Sequence, residues 1–211
     1  MKIGIIGSGH IGGNLGIHLA NAGHSVKFSS RHPDQLKELA EDAGENASVC
    51  TIKEAADFGD VLVLSIPFWA IEEVAEKTGP LEGKIIIETT NPYPGRDGEI
   101  ATKARESSKA ASTFVADHFQ KAHVVKAFNT IYYEHLKNQA NRSDNVRTIP
   151  YAGDDKVVLE LVEDLIRQIG FAPVYVGKLS ESHLMDVDQP LYNKDLNEAE
   201  VKEIIQNNRI G

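Results

Sequence analysis

Short apolar runs alternate with longer stretches whose apolar positions recur every three or four residues. Lys2 to Ile6, Ser25 to Ser29, Ser48 to Cys50, Asp60 to Ile66, Lys84 to Glu88, His123 to Ala127, Arg147 to Tyr151 and Ala172 to Val176 read as strands. Asp60 to Ile66 is almost continuously apolar, as a strand covered on both faces must be. Between the strands lie helical stretches from His10 to Ala22, Pro33 to Asp42 and Ser107 to Phe119. A further helix begins after Asp155, with Val158, Leu161, Val162, Leu165, Ile166 and Ile169 on one face and Gly170 at its end. Thr51 and Glu54 make a capping box, and Asn197 with Glu200 makes a similar start for a terminal helix to Gln206. Asn91 to Gly98 and Asn138 to Asn145 read as loops. Strands alternating with helices predict an α/β fold: a Rossmann-type, doubly wound, mostly parallel sheet with helices on both faces. We expect one such domain over residues 1–180 and a short polar C-terminal extension over 181–211.

Charge and composition narrow the partners. The chain has 211 residues, and 22 Lys and Arg against 31 Asp and Glu give a net charge of −9. Nucleic acids and anionic membrane surfaces are poor partners for such a chain, because neutralising phosphates takes an excess of cations. The longest apolar stretch, Val61 to Ile71, is interrupted by Ser65 and Pro67 and is too short for a span of about 20 residues. No signal peptide precedes the first strand, so a cytoplasmic location is expected. Cys50 is the only cysteine, so no intrachain disulfide forms, and no His or Cys pattern has metal-ligand spacing.

The first turn carries the chemistry. Gly7-Ser8-Gly9-His10-Ile11-Gly12 is G-x-G-x-x-G between a strand and a helix, the context that makes this pattern informative. Gly7 permits the tight turn, Gly9 lets the backbone approach a pyrophosphate, and Gly12 lets helix and strand pack closely. Free N–H groups at the helix start face the phosphates. The end of the second strand chooses between dinucleotides. An NAD site usually carries a carboxylate there for the ribose 2′-hydroxyl, whereas this chain has Ser29-Ser30-Arg31-His32. Two hydroxyls and a guanidinium suit the 2′-phosphate of NADP (NADPH).

The remaining candidates lie at the carboxyl ends of later strands, where ligands bind in this fold. Ile66 and Pro67 can lie along the cofactor, with Phe68 or Trp69 as a wall or as helix packing. Asn91 and Asn129 either bind a carboxamide or ribose or close Asx turns. Tyr133 and Lys137 share a helix face but sit far along the chain from where a proton relay is expected, and a surface face explains them. No catalytic acid or base stands out, which fits hydride exchange between two cofactors whose own chemistry does the work.

The glycine turn, Ser30-Arg31, Val61 to Pro67, Thr90-Asn91-Pro92, Val125 to Thr130 and Gly153-Asp154-Asp155 together resemble the NADPH-dependent reductases of coenzyme F420, a deazaflavin, over about residues 1–180. The resemblance implies a homodimeric oxidoreductase that binds NADP with Ser8, His10, Ile11, Ser30 and Arg31, with the backbone of Ile66 and Pro67 alongside and Asn91 near the nicotinamide. It implies that Phe128, Asn129 and Thr130 line the side of a small-molecule redox acceptor, coenzyme F420 or a flavin. Two features differ from the family. After Leu179-Ser180 the chain is polar and acidic where the family continues into an apolar dimer-forming helix, and Gln35 stands where a second basic residue is common. An imino- or hydroxy-acid reductase and a non-catalytic NADP-binding redox sensor are the rival readings.

Overall fold

A computed structural model describes residues 1–209. The elements are β1 (Lys2–Ile6), α1 (His10–Asn21), β2 (Ser25–Ser29), α2 (Lys37–Ala43), β3 (Ala47–Cys50), α3 (Ile52–Phe58), β4 (Val61–Leu64), α4 (Ile71–Thr78) and β5 (Ile85–Glu88). They continue with α5 (Pro94–Asp97), α6 (Glu99–Glu106), α7 (Ala111–His118), β6 (His123–Ala127), α8 (Tyr133–Asn138), β7 (Thr148–Ala152), α9 (Lys156–Gln168), β8 (Ala172–Gly177) and α10 (Glu198–Arg209). The strands form one sheet in the order β3-β2-β1-β4-β5-β6-β7-β8. Every neighbouring pair is parallel except β6 and β7. This is the Rossmann-type sheet that the strand and helix alternation predicts.

The β4 run shows why its sequence is apolar throughout. Val61 and Val63 enter one core layer, with Ile3, Ile5, Leu15 and Phe28, while Leu62 and Leu64 enter the other, with Ile6, Phe68, Ile71 and Ile86. The chain leaves β1 towards β2 and β3, then returns to β4 on the other side of β1. That reversal opens a crevice outside the carboxyl ends of β1 and β4, the usual ligand position in open α/β sheets. In-register pairing of Ile6 with both Ser29 and Leu64 brings the three following loops to one level.

Local signals account for most boundaries. At Thr51 the hydroxyl accepts from Glu54 N (3.3 Å), while the Glu54 carboxylate accepts from Thr51 N (2.8 Å). Asp155 caps α9, and Asn197 and Glu200 bond reciprocally at the start of α10. Three segments differ from expectation. The stretch from Pro33 begins as a 3-10 turn (Pro33–Leu36) before α2. The expected loop at Asn91 to Gly98 contains α5, and Gly98, at φ 68°, both ends α5 and starts α6. The helix expected from Ser107 is confined to α7, and α6 precedes it. Helix α6 buries only Ala101 and Ala104, side chains too small to write an apolar stripe.

The tail after β8 packs down. Leu179–Met185 forms a 3-10 segment, and Leu184, Met185, Leu191, Val201 and Ile205 join Ala152, Val174 and Val176 in a third apolar cluster. Arg147, fully buried, donates to the Lys194 carbonyl (2.7 Å) and to Gln139 Oε1 (2.8 Å), which ties the tail to the edge of the sheet. Among the described residues no helix is long and apolar enough to cross a membrane.

Candidate dinucleotide and acceptor site

The turn after β1 is built for close approach. Gly7 has φ 91°, and a Cβ there would lie 2.2 Å from the Ser65 carbonyl. A Cβ on Gly12 would lie 2.1 Å from the Gly7 carbonyl, so the start of α1 can rest on the turn only as glycine. Gly9 is different: a Cβ there would meet nothing within 4 Å. No protein atom requires a glycine at this position, and the missing side chain leaves the backbone open to close approach by a ligand. Gly9 caps α1 without a side-chain bond, and no acidic residue occupies the first turn. The helix start therefore offers uncapped N–H groups and a positive dipole end to an anion.

Two cavities meet at this turn. The first, about 200 Å³, is lined by Gly7, Ser8, Gly9, Ser30, Arg31, Ile66, Pro67, Trp69 and Glu73, among others. The second, about 310 Å³, is lined by Gly9, His10, Ile11, Ile66, Pro67, Asn91, Phe128, Asn129, Thr130 and four tyrosines, among others. Gly9, Ser65, Ile66 and Pro67 belong to both, so the two form one cleft across the crevice. A larger surface hollow of about 1290 Å³ lies elsewhere, between α9, β8 and α10, and contains none of the glycine turn.

Most residues expected at a site line this cleft. Ser8 and Arg31 stand at the first cavity, where the Arg31 guanidinium lies 5.3 Å from the Trp69 ring centroid. Ser30 Oγ accepts from His32 N (3.0 Å). Ser29 lies apart: its hydroxyl is fully buried and donates to the Ile5 carbonyl (2.7 Å), and it lines neither cavity. Gly12 shapes the turn from below rather than lining either cavity. Phe68 is core, fully buried and stacked on Phe114 at 5.2 Å, so of the two candidate walls only Trp69 faces the cleft.

At the second cavity Asn91 and Asn129 hold each other. Asn91 Nδ2 donates to the Asn129 carbonyl (2.9 Å), and Asn129 Nδ2 donates to Asn91 Oδ1 (3.1 Å) and to the Met185 carbonyl (2.6 Å). Phe128, at φ 62°, turns the chain so that Asn129 can make these bonds. Asn129 Oδ1 and Thr90 Oγ1 are buried without a partner, although both residues line the cavity. Buried polar atoms are rarely left so, and a ligand carboxamide or hydroxyl would satisfy them. The residues present thus fit a nicotinamide dinucleotide at both ends of the cleft.

Beneath Thr90 lies a buried ion pair. Glu88 and Lys126 face each other on β5 and β6, and Lys126 Nζ donates to Glu88 Oε2 (2.9 Å) and to the Thr90 carbonyl (3.0 Å). Glu88 Oε1 accepts from Thr90 N. The pair therefore grips both sides of Thr90, next to Asn91. Asp186, from the tail, lies near this pair, and burial pushes its carboxyl up against the opposing pull of Lys126.

Several cleft residues were not singled out from the sequence. Tyr93 and Arg96 come from the expected loop, and Tyr192 and Asn193 come from the polar tail. The Tyr93 and Tyr192 hydroxyls bond each other, and Asn193 N donates to the Thr130 carbonyl (3.0 Å). Burial, with the Tyr93 contact, pushes the Tyr192 hydroxyl up. Tyr133 stacks on His10 at 4.3 Å and lines the cleft, while Lys137 does not. Hydrogen bonding with Tyr132 and Glu134 pushes the Tyr133 hydroxyl up to about 12. Among the described residues no group of three or more His, Cys, Asp or Glu could hold a metal ion.

Fold, glycine turn and crevice define the class: a Rossmann-type dinucleotide-binding domain. Residues 2–92 match the model of the family described as NADP oxidoreductase coenzyme F420-dependent, in agreement with the resemblance read from the sequence. The chain is 28% identical to the metalloreductase STEAP3 of Rattus norvegicus over 181 residues, which cover 86% of this chain and 35% of that protein. The chain thus spans about a third of the length of this curated relative. The crystal structure of the hypothetical protein SMa0349 from Sinorhizobium meliloti is similar at a TM-score of 0.83 and 25% identity, covering 94% of this chain and 96% of that one. A protein of Arthrobacter sp. FB24 assigned as an F420-dependent NADP-reductase shares the fold at a TM-score of 0.74 and 20% identity, covering 87% of each chain.

Proposed function

We propose that this chain is an NADP-dependent oxidoreductase that passes a hydride between NADPH and a flavin-like or deazaflavin acceptor such as coenzyme F420. The observation that carries the reading is the single cleft running from Ser30 and Arg31, past the open space at Gly9, to Asn91 and Asn129. Arg31 and Ser30 grip the 2′-phosphate, the latter through its hydroxyl hydrogen, since its oxygen already accepts from His32 N. The start of α1 holds the pyrophosphate. The orphaned oxygens of Thr90 and Asn129 orient the nicotinamide end, with Asn91 locking Asn129 in place. When bound, NADPH supplies the hydride. The chain's own contribution is position and the exclusion of water by the surrounding tyrosines.

The reading includes a cytoplasmic location, a homodimer, and the division into residues 1–180 and an extension over 181–211. Sedimentation of the purified chain tests the dimer. The central test is stopped-flow oxidation of NADPH and NADH with coenzyme F420, FMN, FAD and ferric chelates in parallel. Rapid oxidation specific to NADPH with a flavin-type acceptor is expected. Tight NADPH binding with no acceptor turning over refutes the reading in favour of a redox sensor.

A further inference from the structure

The second cavity is neutral apart from one side chain. In a chain of net charge −9, no Asp, Glu or Lys among the described residues lines it, and Arg96 is the only Arg among them that does. Arg96 is also held in one orientation. Its Nε and Nη2 donate to the two carboxylate oxygens of Asp97 (2.9 and 2.8 Å), and Nη2 also donates to the Asn91 carbonyl (2.9 Å). The guanidinium carbon lies 4.9 Å from the Tyr93 ring centroid. Asp97 has no exposed side-chain surface, and it accepts in turn from Tyr93 N (2.9 Å). The Arg96 side chain keeps 46% of its surface exposed, and its Nη1 bonds no described residue. An arginine anchored through Nε and Nη2, with the two N–H groups of Nη1 left unpaired and no Asp or Glu among the described residues lining the cavity, is a preorganised donor to an oxyanion.

Anchoring matters as much as charge. A free surface arginine loses rotamer freedom when it binds, whereas the Asp97 fork has already restricted this one. Around it, Tyr93 supplies an aromatic face and Tyr192 and Asn193 close the cavity from the tail. The 2′-phosphate position of the proposed dinucleotide lies at Arg31, in the other half of the cleft, and the pyrophosphate position lies at the glycine turn where the two halves meet, so both already have their own donors. Arg96 is therefore spare for the second substrate.

We propose that Nη1 of Arg96 binds an acidic group of the acceptor, a phosphate or a carboxylate. The inference rests on the reading of the cleft as a site for NADP and a flavin-type acceptor. It makes Arg96 a specificity residue for the acceptor and the C-terminal tail part of the acceptor site.

Fluorescence titrations of the NADP⁺-loaded protein with riboflavin, FMN and 10-carboxymethylflavin test it without requiring turnover. A charge-assisted contact predicts that FMN or the carboxymethyl compound binds about tenfold or more tightly than riboflavin. Which of the two gains identifies the phosphate or the carboxylate. The double variant Arg96→Met/Asp97→Asn removes the pair together, so no buried carboxylate is left bare. It brings the three flavins to equal affinity, and thermal unfolding by circular dichroism reports that the variant is folded. Arg96→Lys keeps the charge without the fork and gives an intermediate preference. Equal binding of all three flavins by the native protein overturns the inference, as does a preference that survives the double variant. So does failure of both acidic flavins to bind. Absence of NADP⁺ binding to the native protein overturns the underlying reading as well, which separates the two failures.

Discussion

Replacing Lys126 by methionine strips the cation from a carboxylate that has no access to water. Glu88 has no exposed side-chain surface and Lys126 has 1%, and their contact is 2.9 Å. Breaking a buried pair from one side leaves an uncompensated charge and costs about 3–5 kcal/mol. At this chain length each kcal/mol moves the melting temperature by about 2–4 °C, so Lys126→Met is expected to melt roughly 6–20 °C below the native protein. Removing both charges in Glu88→Leu/Lys126→Met recovers most of that loss, because the desolvation cost of both ions disappears. It does not recover all of it, because Thr90 N and the Thr90 carbonyl lose their partners, at about 1–3 kcal/mol for each group left buried and unpaired. The double variant also loosens Asn91, so its NADPH affinity falls even where its stability returns. Thermal unfolding by circular dichroism at pH 7, followed by NADPH titration of the folded variants, measures both effects. A Lys126→Met melting temperature within 2 °C of native, taking about 2 °C as the smallest shift for 1 kcal/mol, refutes the assignment of the pair as a structural clamp. A double variant as unstable as the single one refutes the account of its cost.

Arg31→Ala is expected to lower NADPH affinity about 10-fold to 100-fold while changing NADH affinity little, because one charge-assisted contact to the 2′-phosphate is lost. Titration of both nucleotides reads the ratio, and an unchanged ratio removes Arg31 from the site. Gly9→Ala and Gly12→Ala separate binding from folding. The first places its methyl in open space and is expected to keep the native melting temperature while weakening NADPH binding; the second meets the Gly7 carbonyl at 2.1 Å and is expected to lower the melting temperature itself. Burial alone raises Asp97, but the Arg96 guanidinium and the backbone N–H groups of Tyr93 and Trp69 outweigh it and hold the carboxyl below its usual range. Its contribution to stability is therefore complete above about pH 4 and fades as pH falls through the lower folded value, and Asp97→Asn should flatten that acid limb of the melting curve.

The elements that a single local signal specifies were legible in the chain. The β4 run had to be covered on both faces, and each of Val61 to Leu64 is buried in one of two core layers. The glycine turn was readable because its constraints are local: Gly7 and Gly12 are required by backbone atoms a few residues away or on the adjoining strand. Caps at Thr51, Asp155 and Asn197 were equally plain. Helix α6 was not, because two alanines bury too little surface to leave a period in the sequence. Ser29 was indistinguishable from Ser30 as a string of letters. Strand alternation decides between them, turning one hydroxyl to the Ile5 carbonyl and leaving the other beside the cleft.

The contacts that close the second cavity belong to tertiary structure alone. Tyr93 and Tyr192 are 99 residues apart in the chain, and their contact depends on how the tail packs across β7 and β8. The tail is polar along its length, yet Leu184, Met185, Leu191, Val201 and Ile205 are spaced to meet the last two strands only once the 3-10 segment has turned it. Arg96 shows the same limit. Its neighbour Asp97 would ordinarily neutralise it in solution, but burial of that carboxylate converts the pair into a fixed guanidinium with Nη1 left unpaired among the described residues. Local periodicity and turn chemistry determine where this chain binds a dinucleotide. What stands opposite it is decided in large part by long-range packing, because Asn91 meets Asn129 and Tyr93 meets Tyr192 only once the sheet and the tail have folded together.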